Sequence, residues 1–266
     1  MESTVRFGGT DRAPLLADVY YPDGPPPHPL VLAISGGGWV RGDRRSLAAW
    51  GRYLARRGLA LASVDYRRAT EGPVFPGNAE DVATALEYVH ARAAELGIDP
   101  GRIALLGVSA GAHLGALVTL SGAFRVPAPR ALVGIYGVYD LMSHWQADLP
   151  RNSGPGTDKT ERMIGCTPFD DPQRFHDGSP LRQITYERAL PTFLAWGHRD
   201  QDVAPEQSAA FARALRQARY PVTVVELTDA AHLWFSEQDP DVAGGHSARI
   251  APALVDFLAR SLAAPV

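Results

Sequence analysis

Gly107-Val108-Ser109-Ala110-Gly111 lies between an apolar run, residues 103–108, and a helix-like run, residues 110–120. A G-x-S-x-G at a strand-to-helix junction is a nucleophile elbow. The glycines let the backbone turn sharply and leave the serine hydroxyl standing at a helix N-terminus. In a chain with 26 glycines the pentapeptide alone is a modest signal. Its weight depends on what the rest of the chain places around Ser109.

Three other stretches stand where chemistry at Ser109 needs them. Ser35-Gly36-Gly37-Gly38-Trp39 follows the apolar run 30–34. Glycines there leave backbone N–H groups unobstructed, so those of Gly37 and Gly38, with that of Ala110, are candidates to hold a developing oxyanion. A merely flexible strand-end loop would have the same composition. Leu194-Ala195-Trp196-Gly197-His198-Arg199-Asp200 closes the run that begins at Thr192. An acid just past a strand end can reach a histidine ring and fix its tautomer. Asp200 is the candidate; Asp202 could serve if the loop turns differently, and either could instead cap the helix expected from Pro205. Asp229-Ala230-Ala231-His232 follows the strand-like run 222–227. That places His232 to take the serine proton and return it to a leaving group. The chain order Ser109, Asp200, His232 is the one expected for this elbow, and none of the other seven histidines has a comparable placement.

With these motifs in place the chain resembles the α/β-hydrolases, close to carboxylesterases of the hormone-sensitive-lipase and feruloyl/acetylxylan-esterase type. The matching stretches include Ala17-Asp18-Val19-Tyr20-Tyr21-Pro22, Gly36-Gly37-Gly38-Trp39-Val40-Arg41-Gly42-Asp43, Val64-Asp65-Tyr66-Arg67, Ala79-Glu80-Asp81-Val82, Gly97-Ile98-Asp99-Pro100-Gly101-Arg102-Ile103 and Val108-Ser109-Ala110-Gly111-Ala112-His113-Leu114. The similarity runs over residues 15–262. It implies an α/β fold, a mainly parallel central sheet with helices on both faces and a small lid. It also implies ester hydrolysis through a serine acyl-enzyme, with no metal or organic cofactor. Two departures stand out. Such enzymes carry histidine before the glycine run, where it braces the oxyanion loop; here Ser35 either supplies one hydrogen bond in its place or leaves the loop looser. Arg68-Ala69-Thr70-Glu71-Gly72-Pro73 replaces a leucine-alanine-proline-glutamate pattern that borders the active site in the family.

Composition fits one globular domain over residues 1–266, long enough to bury a full core. A hydrophobic content of 45% with 21% charged residues argues against both disorder and membrane spanning. A net charge of −3 gives no electrostatic case for nucleic acid or an anionic membrane as partner; the expected partner is a small-molecule ester, and the oligomeric state is open. Residues 1–9 lack a basic start and an apolar stretch, so no signal peptide is expected. The single cysteine, Cys166, cannot form an intrachain disulfide and fits a cytoplasmic setting best. It reads as a packed or idle thiol, since Ser109 fills the nucleophile's role.

Strand-like runs at 15–21, 30–34, 59–64, 103–108, 131–135, 192–196 and 222–227 alternate with helical patterns at 47–57, 78–96, 110–120, 205–217 and 248–262, as in a mainly parallel sheet. Asn78 reads as the cap of the second helix and Gly97 as its stop. Residues 138–184 interrupt the alternation and contain Asn152-Ser153-Gly154-Pro155-Gly156, with weak periodicity except around 159–164. An insert of this kind reads as a partial lid, or as a surface excursion without substrate contact. Trp39, Trp145 and Trp234 fall near the candidate site, with Tyr139 close by, and are candidates to line a pocket for a rigid acyl group; they could equally pack the lid onto the body. Fold and motifs do not separate ester hydrolysis from amide, thioester or lactone cleavage, from acyl transfer, or from a binding protein on the same scaffold.

Overall fold

The computed structural model describes residues 1–151, 158–186 and 190–264. In chain order its elements are β1 (Glu2–Gly9), β2 (Pro14–Tyr20), β3 (His28–Ile34), α1 (Ala48–Ala55), β4 (Ala60–Val64), α2 (Gly77–Ala91), β5 (Ile98–Val108), α3 (Ala110–Leu120), β6 (Ala131–Ile135), α4 (Leu141–Asp148), α5 (Lys159–Ile164), α6 (Pro172–Asp177), β7 (Thr192–Gly197), α7 (Pro205–Gln217), β8 (Val222–Leu227), α8 (Trp234–Glu237) and α9 (His246–Ser261). All eight strands form one sheet in the order β1-β2-β4-β3-β5-β6-β7-β8. The pairs β1–β2 and β2–β4 are antiparallel, and every pair from β4 onward is parallel.

The inner strands are covered on both faces, which is why they read as continuous apolar runs rather than alternating ones. Every residue of β4, β6 and β7 is buried. The same holds for α3, whose residues are all buried because it packs against β3, β5 and β6, against α2, and against the 180–183 turn of the insert. Parallel connections bring the carboxyl ends of β3, β5, β6, β7 and β8 to one edge, where open α/β sheets form their crevice.

Three departures from the sequence reading have local causes. β1 was not expected: its ESTVRFGG run is polar on its exposed positions, and it pairs only with β2 at the sheet's edge. Asn78 does not cap α2; Pro76 holds the cap position, and Asn78 is buried within the first turn. The helix ends at Ala91, and the chain closes through Gly97 at φ +62 with Ile98 N–H donating to the Ala93 carbonyl (2.8 Å). The 138–184 insert holds α4, α5 and α6, with Asp140, Asp158 and Asp171 capping them through side-chain acceptance of backbone N–H groups. Its Asn152-Ser153-Gly154-Pro155-Gly156 stretch lies outside the described residues.

Candidate active site

The elbow explains its own glycines. A Cβ on Gly107 would fall 2.3 Å from the Gly111 carbonyl oxygen, and one on Gly111 would fall 2.1 Å from that of Ile34. No side chain fits at either place, because backbone stands on the other side. The turn between β5 and α3 leaves Ser109 at φ 55, ψ −119, a strained conformation that costs of order 1–3 kcal/mol and persists only where its surroundings dictate it. Here the Ser109 N–H donates to the Ile135 carbonyl at the end of β6 (2.8 Å), and the Ser109 carbonyl accepts from Ala112 N–H (2.9 Å).

His232, on the loop after β8, reaches Ser109 from the far side. Its Nδ1 lies 2.6 Å from Asp200 Oδ2 and its Nε2 lies 3.0 Å from Ser109 Oγ. An ionised carboxylate only accepts, so Nδ1 carries the proton and Nε2 is left to accept from the serine hydroxyl. Both side chains are buried, at 7% and 1% exposure for His232 and Asp200. The second oxygen of Asp200 accepts from the N–H groups of Asp202 and Val203 (both 2.9 Å), which holds the carboxylate facing the ring. Of the two acids, it is Asp200 that meets the histidine. Tyr136, at φ +36 just after β6, lays its ring 4.4 Å from that of His232.

Gly37 and Gly38 both have positive φ, +118 and +58. A Cβ on Gly37 would meet the Arg41 carbonyl oxygen at 2.0 Å, so this turn also admits only glycine. Ala110 is the first residue of α3, and its N–H has no intrahelical acceptor. All three line one cavity of about 380 Å³ together with Ser109, His232 and Trp39. Ser35 is fully buried, and its hydroxyl finds no hydrogen-bond partner among the described residues. It does not take over a bracing hydrogen bond; only its carbonyl is held, by the Tyr66 hydroxyl at 3.2 Å.

Two of the three candidate tryptophans stand off this cavity. Trp145 packs inside the insert, where its Nε1 donates to Glu161 (2.7 Å) and its ring meets Phe169 edge-on. Trp234 packs behind Tyr136, 5.3 Å away, and against Phe235. Residues 69–73 line a separate cavity of about 410 Å³ with α5 and Cys166, so the segment borders the insert rather than Ser109. Burial pushes the Cys166 thiol up, which keeps it protonated. The Ser109 cavity also takes in residues not anticipated: Tyr136, Val138, His144, Lys159 and Leu233. Lys159 carried a signal, as the only lysine of the chain. Its stem packs over Gly38, where a Cβ would lie 2.7 Å from Cδ. Leu233 takes the left-handed region at φ +67, which nothing in its side chain announces.

Asp200, Asp202 and His232 form the one group among the described residues that brings three potential metal-ligand side chains within 4.8 Å. Two of the three are already spent on each other. No helix among the described residues is long and apolar enough to cross a membrane.

Known proteins share this arrangement of chain. The BD-FAE sequence profile matches residues 17–215. Esterase LipC of Mycobacterium tuberculosis is 34% identical over 240 residues, covering 84% of this chain and 58% of LipC. The chain spans about half to three fifths of the length of the first curated relatives it matches. A bacterial heroin esterase superposes with a TM-score of 0.81 at 26% identity, covering 99% of this chain and 85% of that one. Thermogutta terrifontis esterase 2 superposes with a TM-score of 0.80 at 22% identity, covering 100% and 97%. With its profile matched over most of its length on a sheet of this topology, the chain belongs to the BD-FAE family and has the α/β-hydrolase fold.

Proposed function

We propose that the chain hydrolyses carboxylic esters through an acyl-enzyme on Ser109. The observation that carries the reading is the relay Asp200–His232–Ser109, at 2.6 and 3.0 Å, opening on a cavity walled by Gly37, Gly38 and Ala110. Ser109 Oγ attacks the ester carbonyl while its proton passes to His232 Nε2. The backbone N–H groups of Gly37, Gly38 and Ala110 donate to the oxyanion of the tetrahedral intermediate. His232 then gives its proton to the departing alcohol, and Asp200 stabilises the imidazolium between the two transfers. In the second half His232 deprotonates a water that attacks the acyl-enzyme, and the acid leaves with Ser109 restored. Relatives named as esterases support ester bonds over amides.

A cavity of about 380 Å³ lies near the lower end of small-molecule sites, which favours a short acyl chain. The test is a p-nitrophenyl ester series from acetate to laurate, with p-nitroacetanilide alongside. Turnover confined to esters, with an optimum at short acyl chains, is the expected result. A preference for the anilide, or an optimum at laurate, would contradict the reading of bond type or of pocket depth respectively.

A further inference from the structure

The Ser35 hydroxyl is buried with no partner among the described residues, and the Tyr66 hydroxyl reaches only the carbonyls of Ser35 and Gly36 (3.2 and 3.4 Å), so the stretch from Gly37 to Trp39 needs a further hold. The hold comes from the opposite side of the loop, through the residue that follows Gly38. Trp39 is buried at φ +59, and its indole Nε1 lies 3.1 Å from Nδ1 of His113 in α3. An indole N–H can only donate, so Nδ1 accepts and the proton of this imidazole sits on Nε2. That nitrogen lies 2.7 Å from the carbonyl oxygen of Gly178, at the end of α6. The imidazole is fully buried and has both nitrogens engaged. A second thread runs parallel: the Trp39 carbonyl accepts from Ala69 N–H (2.9 Å), and the Ala69 carbonyl accepts from Arg162 Nη2 in α5 (2.9 Å). The Trp39 ring also meets the rings of His113 and His144 edge-on, at 5.3 and 6.0 Å.

We propose that His113 is a positioning residue for the oxyanion loop: by fixing Trp39 between α3 and the insert it sets the direction of the Gly37 and Gly38 N–H groups, the task Ser35 does not perform. This rests on the acyl-enzyme reading above. Both glycines sit at positive φ with no side chain of their own. The turn in which the Gly37 carbonyl accepts from the N–H groups of Val40 (3.3 Å) and Arg41 (3.0 Å) shapes the loop, and the first bulky residue after the glycines anchors that turn to the body and so sets where their N–H groups point. His113 lies four positions after Ser109, and both belong to the same elbow and first helical turn. The serine and the donors it works with are thereby referenced to one rigid element. The insert then acts as the outer wall of this brace, with Gly178 and Arg162 as its two fastening points.

The experiment uses the full chain with Trp39→Phe, which keeps a ring but deletes the N–H, with His113→Gln, whose amide can both accept and donate, and with His113→Leu, which can do neither. Each is measured for kcat and KM on p-nitrophenyl acetate and on the matching thionoester, whose sulfur is a poor hydrogen-bond acceptor. Misaligning donors without removing them should cost less than the loss of a donor, so Trp39→Phe and His113→Leu should each lower kcat by about tenfold with KM within about twofold. His113→Gln should recover part of that loss, and the ester-to-thionoester ratio should shrink in Trp39→Phe. The double variant Trp39→Phe/His113→Leu should be no slower than the slower single one, because both break the same link. If His113→Leu does not fold, Trp39→Phe and His113→Gln decide the matter. Unchanged kcat and ester-to-thionoester ratio in Trp39→Phe, or effects that multiply in the double variant, would overturn the brace. Ser109→Ala separates the two proposals: turnover surviving that change sinks the acyl-enzyme reading itself. Turnover lost there but intact in Trp39→Phe sinks only the brace.

Discussion

Ser109, Asp200 and His232 stand just past the ends of three parallel strands, β5, β7 and β8, whereas Val138, His144 and Lys159 reach the same cavity from the segment that follows β6. The first set is held by backbone that cannot move without breaking the sheet: the elbow glycines close on Ile34 and Gly111, and Asp200 is clamped by two N–H groups. The second set is carried by short helices, each capped by an aspartate and joined to the body by scattered hydrogen bonds such as His113–Gly178, Arg162–Ala69 and those from the Val74 and Phe75 N–H groups to the Met163 carbonyl. The difference assigns the work. Under the proposed function, the groups that must hold a reacting atom closely are the ones on the sheet, and the insert supplies the outer wall of the cavity.

The largest effect that separates the two acids falls on the sheet side. Asp200→Asn should lower kcat by roughly 10⁴-fold, since an amide no longer fixes the His232 tautomer. Asp202→Asn should stay within about tenfold, because it is the backbone N–H of Asp202 and not its carboxylate that holds Asp200. Equal losses in a steady-state comparison would erase the distinction between the clamped acid and its neighbour.

A smaller effect sits where the two halves meet. Burial pushes the His113 ring down to about 4, with repulsion from His144 adding to it and the Gly178 hydrogen bond opposing it. Its folded value lies below the unfolded one of 6.5, so in between the unfolded chain binds the proton and the folded chain does not. The resulting stability is full above pH 6.5 and is lost as pH falls through about 4, amounting to about 3 kcal/mol over the window. Thermal melts between pH 7 and pH 4 should fall more steeply for the wild type than for His113→Gln. Parallel curves would show that the junction between α3 and the insert does not exclude the charge.

The smallest effect lies within the insert. Trp145→Phe deletes the donor to Glu161 and should lower stability by about 1 kcal/mol. KM for aryl and acetyl esters alike should stay within about twofold, as Trp145 is not on the cavity wall. A selective rise in KM for aryl esters would instead put Trp145 in contact with substrate and return the aromatic pocket to consideration.

Legibility follows the same division. Strands β3 to β7 are visible in the sequence because burial on both faces turns them into plain apolar runs. Ser109 and Asp200 are visible because each follows such a run at a strand end, and His232 because it follows the half-buried run of β8. β1 escapes because an edge strand of alternating polar residues carries little periodic signal. α4 and α6 escape for a related reason: eight and six residues are too few for a helical period to emerge, although Asp140 and Asp171 with Pro172 mark their starts. Trp234 shows a different limit. Two residues from His232 in sequence, it points away from the cavity and supports Tyr136 from behind, and side-chain direction of that kind is set by packing. His113 is the converse case, a histidine without a strand-end address that reaches the loop after β3 only once α3 lies under Trp39.

Whether Ser109 carries the acyl group is read directly from the mass of the protein quenched during turnover of p-nitrophenyl acetate. A single acetyl adduct on the peptide containing Ser109 is the expected result, with no adduct in Ser109→Ala. Hydrolysis at undiminished rate in Ser109→Ala, or an adduct on another residue such as Cys166, would contradict it.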